Sequence, residues 1–387
     1  MNVPKLRFKE FNDTWKKIQL SSFVNINPQN DSLPEKFIYI DLESVNNGLL
    51  TSRKIINRSE APSRAKRTII KNDILYQTVR PYQMNNLFIN SLDSDYPYIA
   101  STGYALLRTK ENPYFVYSIL HQKSFVNKVL DMCTGTSYPA INATDLGKIS
   151  VGLPSIKEQE KISRTLELLD KKIELQTKKI EDLKLFKKGL LIKEFNNKKC
   201  NNKLNECFDF GKAGGTPKST NKDYYNGHIP FLSIGDMTAQ GKYIYYTDKS
   251  ITDAGLNNSA AWLVPKNSII ISMYASYGLV SINKINLATS QAMFNMIINK
   301  NYVIEYIYYY LYYLYISNFY NSIVSTGTQS NLNAEQIKAL DIYLPCYNEQ
   351  KRIYMQFNVI DFKIDLERKK INELLYLKKG LMQNMFV

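Results

Sequence analysis

The sequence predicts an α+β protein: two domains of mixed helix and strand, separated by two long helices that form an antiparallel coiled coil, with an internal pseudo-two-fold repeat. Three observations carry that expectation. A stretch of the first half recurs in the second at an offset of 191 residues, both copies hold a heptad seam, and the segments between them alternate short β-rich runs with Gly, Asn and Pro. The 387 residues, 44% of them hydrophobic, are enough for two or three domains with their own cores.

Thr134, Gly135 and Thr136 answer Thr326, Gly327 and Thr328, one residue beyond the common offset. Ala143, Leu146, Pro154, Glu158, Gln159 and Ile162 then answer Ala334, Ile337, Pro345, Glu349, Gln350 and Ile353. Asp170, Ile173, Lys188, Gly189, Leu190 and Phe195 answer Asp361, Ile364, Lys379, Gly380, Leu381 and Phe386. One unit has been used twice.

Leu153-Pro154 and Leu344-Pro345 suit helix starts, because the first turn has no partner for the N–H that proline lacks. In the first copy Ile162, Leu166, Leu169, Ile173, Gln176, Ile180, Leu183, Lys187 and Leu190 step by 4 and 3 in alternation. In the second, Ile353, Phe357, Ile360, Ile364, Glu367, Ile371, Leu374, Lys378 and Leu381 do the same, with the polar exceptions at matching places. A sustained 3.5-residue period means that the two seams bury each other, and about 140 residues of intervening chain can return the second helix antiparallel to the first. From Glu158 to Phe195 such a helix is roughly 57 Å long at 1.5 Å per residue. Gly189 and Gly380 are expected near the ends, where glycine commonly stops a helix.

The resulting division is 1–153 and 200–344 for the mixed domains, 154–199 and 345–387 for the helices. β-Rich runs fall at Phe37–Leu42, Ile69–Val79, Pro230–Ile234 and Ser268–Met273, and each domain ends in a more helical stretch, Pro113–Leu130 and Val303–Asn321. The Tyr-rich run from Tyr306 to Tyr315 reads as a packed helix rather than a base-stacking platform, because duplex DNA exposes no base faces.

A net charge of +15 points to a polyanionic partner, nucleic acid before membrane surface. The excess is local: residues 53–80 hold eight basic side chains against two acidic. Arginines there can neutralise phosphates or fork onto guanine edges. In the second domain Lys212, Lys218, Lys222, Lys242 and Lys249 interleave with Tyr224, Tyr225, Tyr243, Tyr245 and Tyr246 as a polar, aromatic surface. No apolar run of about 18 residues occurs and the N-terminus has no apolar leader core, so a cytoplasmic protein without a membrane span is expected.

Enzyme motifs are missing. Two histidines and four cysteines without a CxxC pair argue against a metal site or a histidine triad. Asn112-Pro113-Tyr114-Phe115 lacks one proline of the amino-methyltransferase loop, no Gly-rich fingerprint accompanies it, and there is no GxxxxGK[ST] phosphate loop. Asp170-Lys171-Lys172 sits on the coiled-coil helix and reads as structural salt pairing.

This arrangement resembles the specificity subunit of type I restriction-modification systems. Gly214-Gly215-Thr216-Pro217, Tyr224-Tyr225-Asn226-Gly227 and the run Ile229 to Met237 look like the start of a target recognition domain, and the paired segments from Thr-Gly-Thr through Leu-Pro to Glu-Gln are equally telling. Val24 to Val45 of the first domain lacks the Gly-Gly-Thr-Pro loop. The resemblance implies a non-catalytic subunit whose two recognition domains each read half of a split, asymmetric duplex DNA target. It further implies that the helices set the gap and dock two methyltransferase subunits, with restriction and translocase subunits joining for cleavage. By the same resemblance this chain binds no cofactor, and S-adenosylmethionine, ATP and magnesium belong to the partners. Candidate DNA-binding residues are Arg53, Arg58, Arg64, Lys66, Arg67 and Arg80 in the first domain and Lys212, Thr216, Lys218, Tyr274 and Tyr277 in the second. The alternative reading is a coiled-coil scaffold for a multi-subunit assembly that does not bind DNA.

Overall fold

A computed structural model describes residues 3–29, 32–135, 137–274, 276–324 and 331–387. Thr136 and the Thr326-Gly327-Thr328 segment lie outside the described residues. The chain divides into two compact units: unit 1 is 1–177 with 369–387, and unit 2 is 178–368. The division cuts both long helices instead of following their ends.

Unit 1 holds two four-stranded sheets. In the first the order is Lys54–Asn57, Lys36–Ile40, Tyr98–Ser101, Ala65–Ile69, with the two central strands parallel and the edge strands antiparallel. The second runs Val24–Ile26, Tyr104–Thr109, Ile74–Gln77, Leu87–Phe88, antiparallel throughout. Ile74, Leu75, Tyr76 and Gln77 are all buried, so this central strand is covered on both faces instead of alternating. Helices Pro113–Leu120 and Lys123–Asp131 close the core, where Trp15 and Phe115 meet Phe386 edge-on and stacked, with ring centroids 6.3 Å and 5.3 Å away.

Unit 2 repeats the plan with different strands. Its five-stranded sheet is ordered Phe208–Ala213, Met293–Ile298, Ile269–Ser272, Val280–Asn283, Tyr243–Ile244, and a three-stranded sheet joins Lys249–Ile251, Tyr225–Leu232 and Ala288–Thr289. The Tyr-rich run is the helix Ile304–Ile316, with Tyr306, Tyr308, Tyr309 and Tyr310 buried.

The first long helix spans Ile156–Phe195 and the second Tyr347–Asn384. Both continue past Gly189 and Gly380, which is a departure from the expected stops. A glycine inside a helix costs only about 1 kcal/mol, which seam burial outweighs, and a Cβ at either position would meet nothing within 4 Å. In unit 2 Lys179, Lys187 and Phe195 meet Glu367, Asp361 and Phe357, so numbers rise along one helix as they fall along the other. In unit 1 Asp170 meets Lys378, while Ile162 and Leu166 share a core with Leu381 and Met385. The pairing is antiparallel in each. Ile162, Leu166, Ile180, Ile353, Phe357, Ile360 and Ile364 are buried; Leu169, Ile173, Leu183, Leu190, Ile371, Leu374 and Leu381 are half-buried. Removing a fully buried ring such as Phe357 costs about 3–5 kcal/mol.

The duplicated glutamine of the Glu-Gln pair has a structural cause. Gln159 Nε2 donates to Pro154 O (3.0 Å), and Gln159 Oε1 accepts from the Asn112 N–H (3.2 Å) that opens the unit 1 helix. Gln350 repeats both bonds, donating to Pro345 O (2.9 Å) and accepting from the Val303 N–H (3.0 Å). Each buried amide thus ties a Leu-Pro turn to its own domain. Asn112 is the N-cap of Pro113–Leu120: its Oδ1 accepts from the Phe115 N–H (2.9 Å), so the Asn-Pro-Tyr-Phe segment is a helix start.

Candidate nucleic-acid interface

In unit 1 the basic cluster borders the first sheet. Lys54–Asn57 and Ala65–Ile69 are its two edges, separated by two strands, so the cluster spans roughly 14 Å at about 4.8 Å per strand. Arg53, Arg58, Arg64 and Lys66 are exposed, and Arg67 and Arg80 half-buried. Their availability differs. Arg53 stands 3.6 Å from Asp93, and neighbouring Lys54 stands 3.5 Å from Asp41. Among the described residues Arg58, Arg64, Arg67 and Arg80 form no ion pair. Among the described residues the buried Arg67 Nε has no hydrogen-bond partner, and burial lowers its pKa from the usual arginine value without neutralising it. A cation held so exacts a desolvation cost that a phosphate or base acceptor would offset. Arg108, by contrast, forks onto Asp73 with two 2.8 Å bonds.

Arg80 opens a rigid turn. Its φ of 54° and ψ of 54° are left-handed, and Met84, which closes the turn, has φ 51°. Gln77, buried beneath, donates from Nε2 to Val79 O and Gln83 Oε1, both 2.8 Å. The Arg80 guanidinium lies 4.4 Å from the centre of the exposed Tyr138 ring. Tyr138 is a residue that sequence reasoning missed, because it stands 58 positions away and only the fold brings it to Arg80.

In unit 2 the Gly-Gly-Thr-Pro segment is a packed loop. A Cβ at Gly214 would collide with Thr289 and one at Gly215 with the backbone of Ala260, while Trp262 Nε1 donates to Ala213 O (3.2 Å). The buried glycines leave Lys212, Thr216 and Lys218 exposed, with the Thr216 hydroxyl donating to Gln291 Oε1. Tyr274 is exposed; Tyr277 is half-buried and donates its hydroxyl to Asn321 Oδ1 (2.7 Å). Lys242 departs from the expected surface. Its side chain is only 10% exposed and lies 3.6 Å from Asp361 and 2.8 Å from the Tyr309 hydroxyl, whereas Tyr245 and Tyr246 do face solvent.

Some titratable groups are engaged within the fold. Burial lowers the pKa of His121, whose Nδ1 faces Tyr117 O at 2.8 Å, so the ring is neutral at pH 7. A cleft of about 810 Å³ beside Val24–Ile26 is lined by Arg108, Glu111 and Lys148, which are bound to Asp73, Gln159 and Asp145. The arrangement offers cations, forked donors and hydroxyls to a polyanion.

A family model described as the type I restriction modification DNA specificity domain matches the chain twice, over residues 12–185 and 197–376. The chain belongs to the type I restriction-modification specificity subunits. It is similar to the HindI specificity subunit of Haemophilus influenzae, at 23% identity over 87% of this chain and 91% of that relative. It is also similar to the MjaIX specificity subunit of Methanocaldococcus jannaschii, at 30% identity over 46% of this chain and 42% of the relative. Two solved structures share the fold. One is a chain of a type I restriction-modification system described for complex assembly and conformational transition, with TM-score 0.60, 21% identity and coverage of 95% of this chain and 96% of that one. The other is the S subunit from M. genitalium, with TM-score 0.56, 17% identity and coverage of 100% and 99%. As a specificity subunit the chain is the DNA-recognition component of its system. Among the described residues no helix is long and apolar enough to cross a membrane.

Proposed function

We propose that the two recognition domains of this specificity subunit each read one half of a bipartite, asymmetric duplex target, and that the helix pair sets their spacing and docks two methyltransferase subunits. The observation that carries this reading is the duplicated heptad seam, buried antiparallel in each unit, beside a unit 1 domain whose Arg58, Arg64, Arg67 and Arg80 form no ion pair among the described residues and a unit 2 domain that exposes Lys212 and Lys218. A helix of 40 residues is about 60 Å long, a stiff spacer on the scale of a split target. Docking is supported by a second apolar stripe. Met355, Val359, Phe362 and Leu366, 50%, 53%, 68% and 42% exposed, follow the seam by two positions and so lie about 200° around the helix from it. In this reading the chain performs no chemistry. Adenine methylation and cleavage, with S-adenosylmethionine, ATP and magnesium, belong to the methyltransferase and restriction subunits.

Insertion of one heptad into both helices keeps the seam and is expected to lengthen the gap between methylated half-sites by roughly 10 Å, about 3 base pairs at 3.4 Å each. Methylated-adenine mapping on a plasmid library co-expressing the partner subunit reads the gap directly. Retention of the original gap would sink the spacer role.

A further inference from the structure

We propose that Tyr138 is a positioning residue for DNA readout: it holds the Arg80 guanidinium flat, with its fork free to take the two acceptors of one guanine edge in the major groove. This rests on the reading that unit 1 binds duplex DNA.

The geometry is that of a prepared donor. Arg80 and Met84 both adopt left-handed backbone, which non-glycine residues rarely do, and Pro81 stiffens the turn between them. The Arg80 N–H donates to Pro139 O (2.8 Å), and its carbonyl accepts from the Gln83 N–H (3.0 Å). Val79 pairs with Ala140, and Thr134 with the same Ala140, so the backbone just after Tyr138 is fastened to the turn by hydrogen bonds. Gln77 anchors the other side, its Oε1 accepting from the Asn85 N–H (3.1 Å). Two segments that share no sequence neighbourhood thus place a guanidinium 4.4 Å from the ring centre of an aromatic that is itself 63% exposed. Among the described residues no carboxylate pairs with Arg80.

Stacking and hydrogen bonding use different faces of a guanidinium. The ring takes the π-face and the N–H donors stay in plane, pointing outward. Guanine is the base whose major-groove edge offers two acceptors, O6 and N7, to such a fork. A phosphate could also accept it, but a phosphate contact would carry no dependence on the base pair.

The test uses the full chain co-expressed with its methyltransferase partner and a randomised plasmid library, with methylated sites sequenced for wild type and for Arg80→Ala, Arg80→Lys, Tyr138→Phe and Tyr138→Ala. Expected is a G·C requirement at one position of one half-site, relaxed by about ten- to a hundredfold in both Arg80 variants. Tyr138→Ala is expected to relax that same position about tenfold, Tyr138→Phe to restore it, and the other half-site to stay unchanged as the internal control of folding. Uniform loss at all sequences on Arg80→Ala would make Arg80 a phosphate contact and overturn the proposal, as would relaxation by Arg80→Ala with no effect of Tyr138→Ala. A wild-type complex without any bipartite methylated motif would overturn the recognition reading itself, a different failure.

Discussion

The two units carry matched polar nodes where a domain meets the helices, and the nodes differ by one charge. In unit 1 Asp170 takes Lys378 Nζ at 2.5 Å and the Tyr114 hydroxyl. In unit 2 Asp361, its repeat partner, takes Lys187 Nζ at 2.5 Å and the Tyr309 hydroxyl at 2.6 Å, and also faces Lys242 at 3.6 Å. One carboxylate there serves two lysines. One titratable group near the unit 1 node is instead the neutral His121, its pKa lowered by burial and by Lys378. Around Lys242 aromatic faces add to the carboxylates Asp361 and Glu305: its Nζ lies 4.4 Å from the Tyr309 ring centre, 4.8 Å from Tyr243 and 5.6 Å from Tyr308 and Tyr354. Even so, burial, helped by the neighbouring Lys187, pushes Lys242 down to about 8 against the pull of Asp361 and Glu305. A repeated scaffold therefore tolerates unequal charge when rings and a more distant carboxylate surround the extra cation.

Removing the shared anion should separate the nodes most. Asp361→Asn strips the counter-ion from two enclosed lysines and is expected to cost about 3–5 kcal/mol in urea unfolding of the full chain. Asp170→Asn, at a more open site with one lysine, should cost about 1 kcal/mol. Equal losses would mean that the extra lysine does not matter.

The nodes should also respond to different pH windows. Lys242 is depressed in the fold from 10.5 to about 8, so between those values the unfolded chain holds the proton that the folded chain has lost, and stability rises with pH. Wild type is expected to gain about 2 kcal/mol over Lys242→Met between pH 7.5 and 9.5, read by urea unfolding at the two pH values. His121 is also depressed, so its contribution is present above its ordinary 6.5 and is lost as pH falls through the lower folded value. His121→Gln should flatten the stability profile on the acid side alone, and an unchanged acid limb would contradict its buried, neutral state.

The outer stripe sharpens the comparison at smaller scale. Phe362 answers Lys171 at the common offset, and Met355 answers Arg164, so the stripe is wholly apolar in unit 2 and half charged in unit 1. Phe362→Glu should leave unfolding free energy within about 0.5 kcal/mol, yet reduce co-purified methyltransferase several-fold. Lys171→Glu should reduce it less. Equal recovery of partner with both variants would remove the stripe from the docking surface.

The legible part of the fold was its periodicity. Eighteen seam positions at steps of 4 and 3 mark the faces that the helices bury, because side-chain direction repeats with the helical turn. Gly189 and Gly380 were misleading, since local propensity is weaker than the burial of a seam. Lys187 and Lys378 stood out as matched exceptions, but nothing near them in sequence announced Asp361 or Asp170. Lys242 looked like surface because Asp361 is 119 positions away. In the recognition domains the basic cluster was visible, but not which members Asp93 or Asp41 already holds.

By itself, then, the sequence determined the duplication, the two rods and the sign of the charge, all of which are properties of local order and composition. Tertiary structure alone decided which cations are spent inside, at Asp361 and Asp170, and which stand free beside an aromatic, as Arg80 does beside Tyr138. The physical reason is that periodicity is written along the chain, whereas electrostatic pairing depends on distance through space and on how much water is left between the partners.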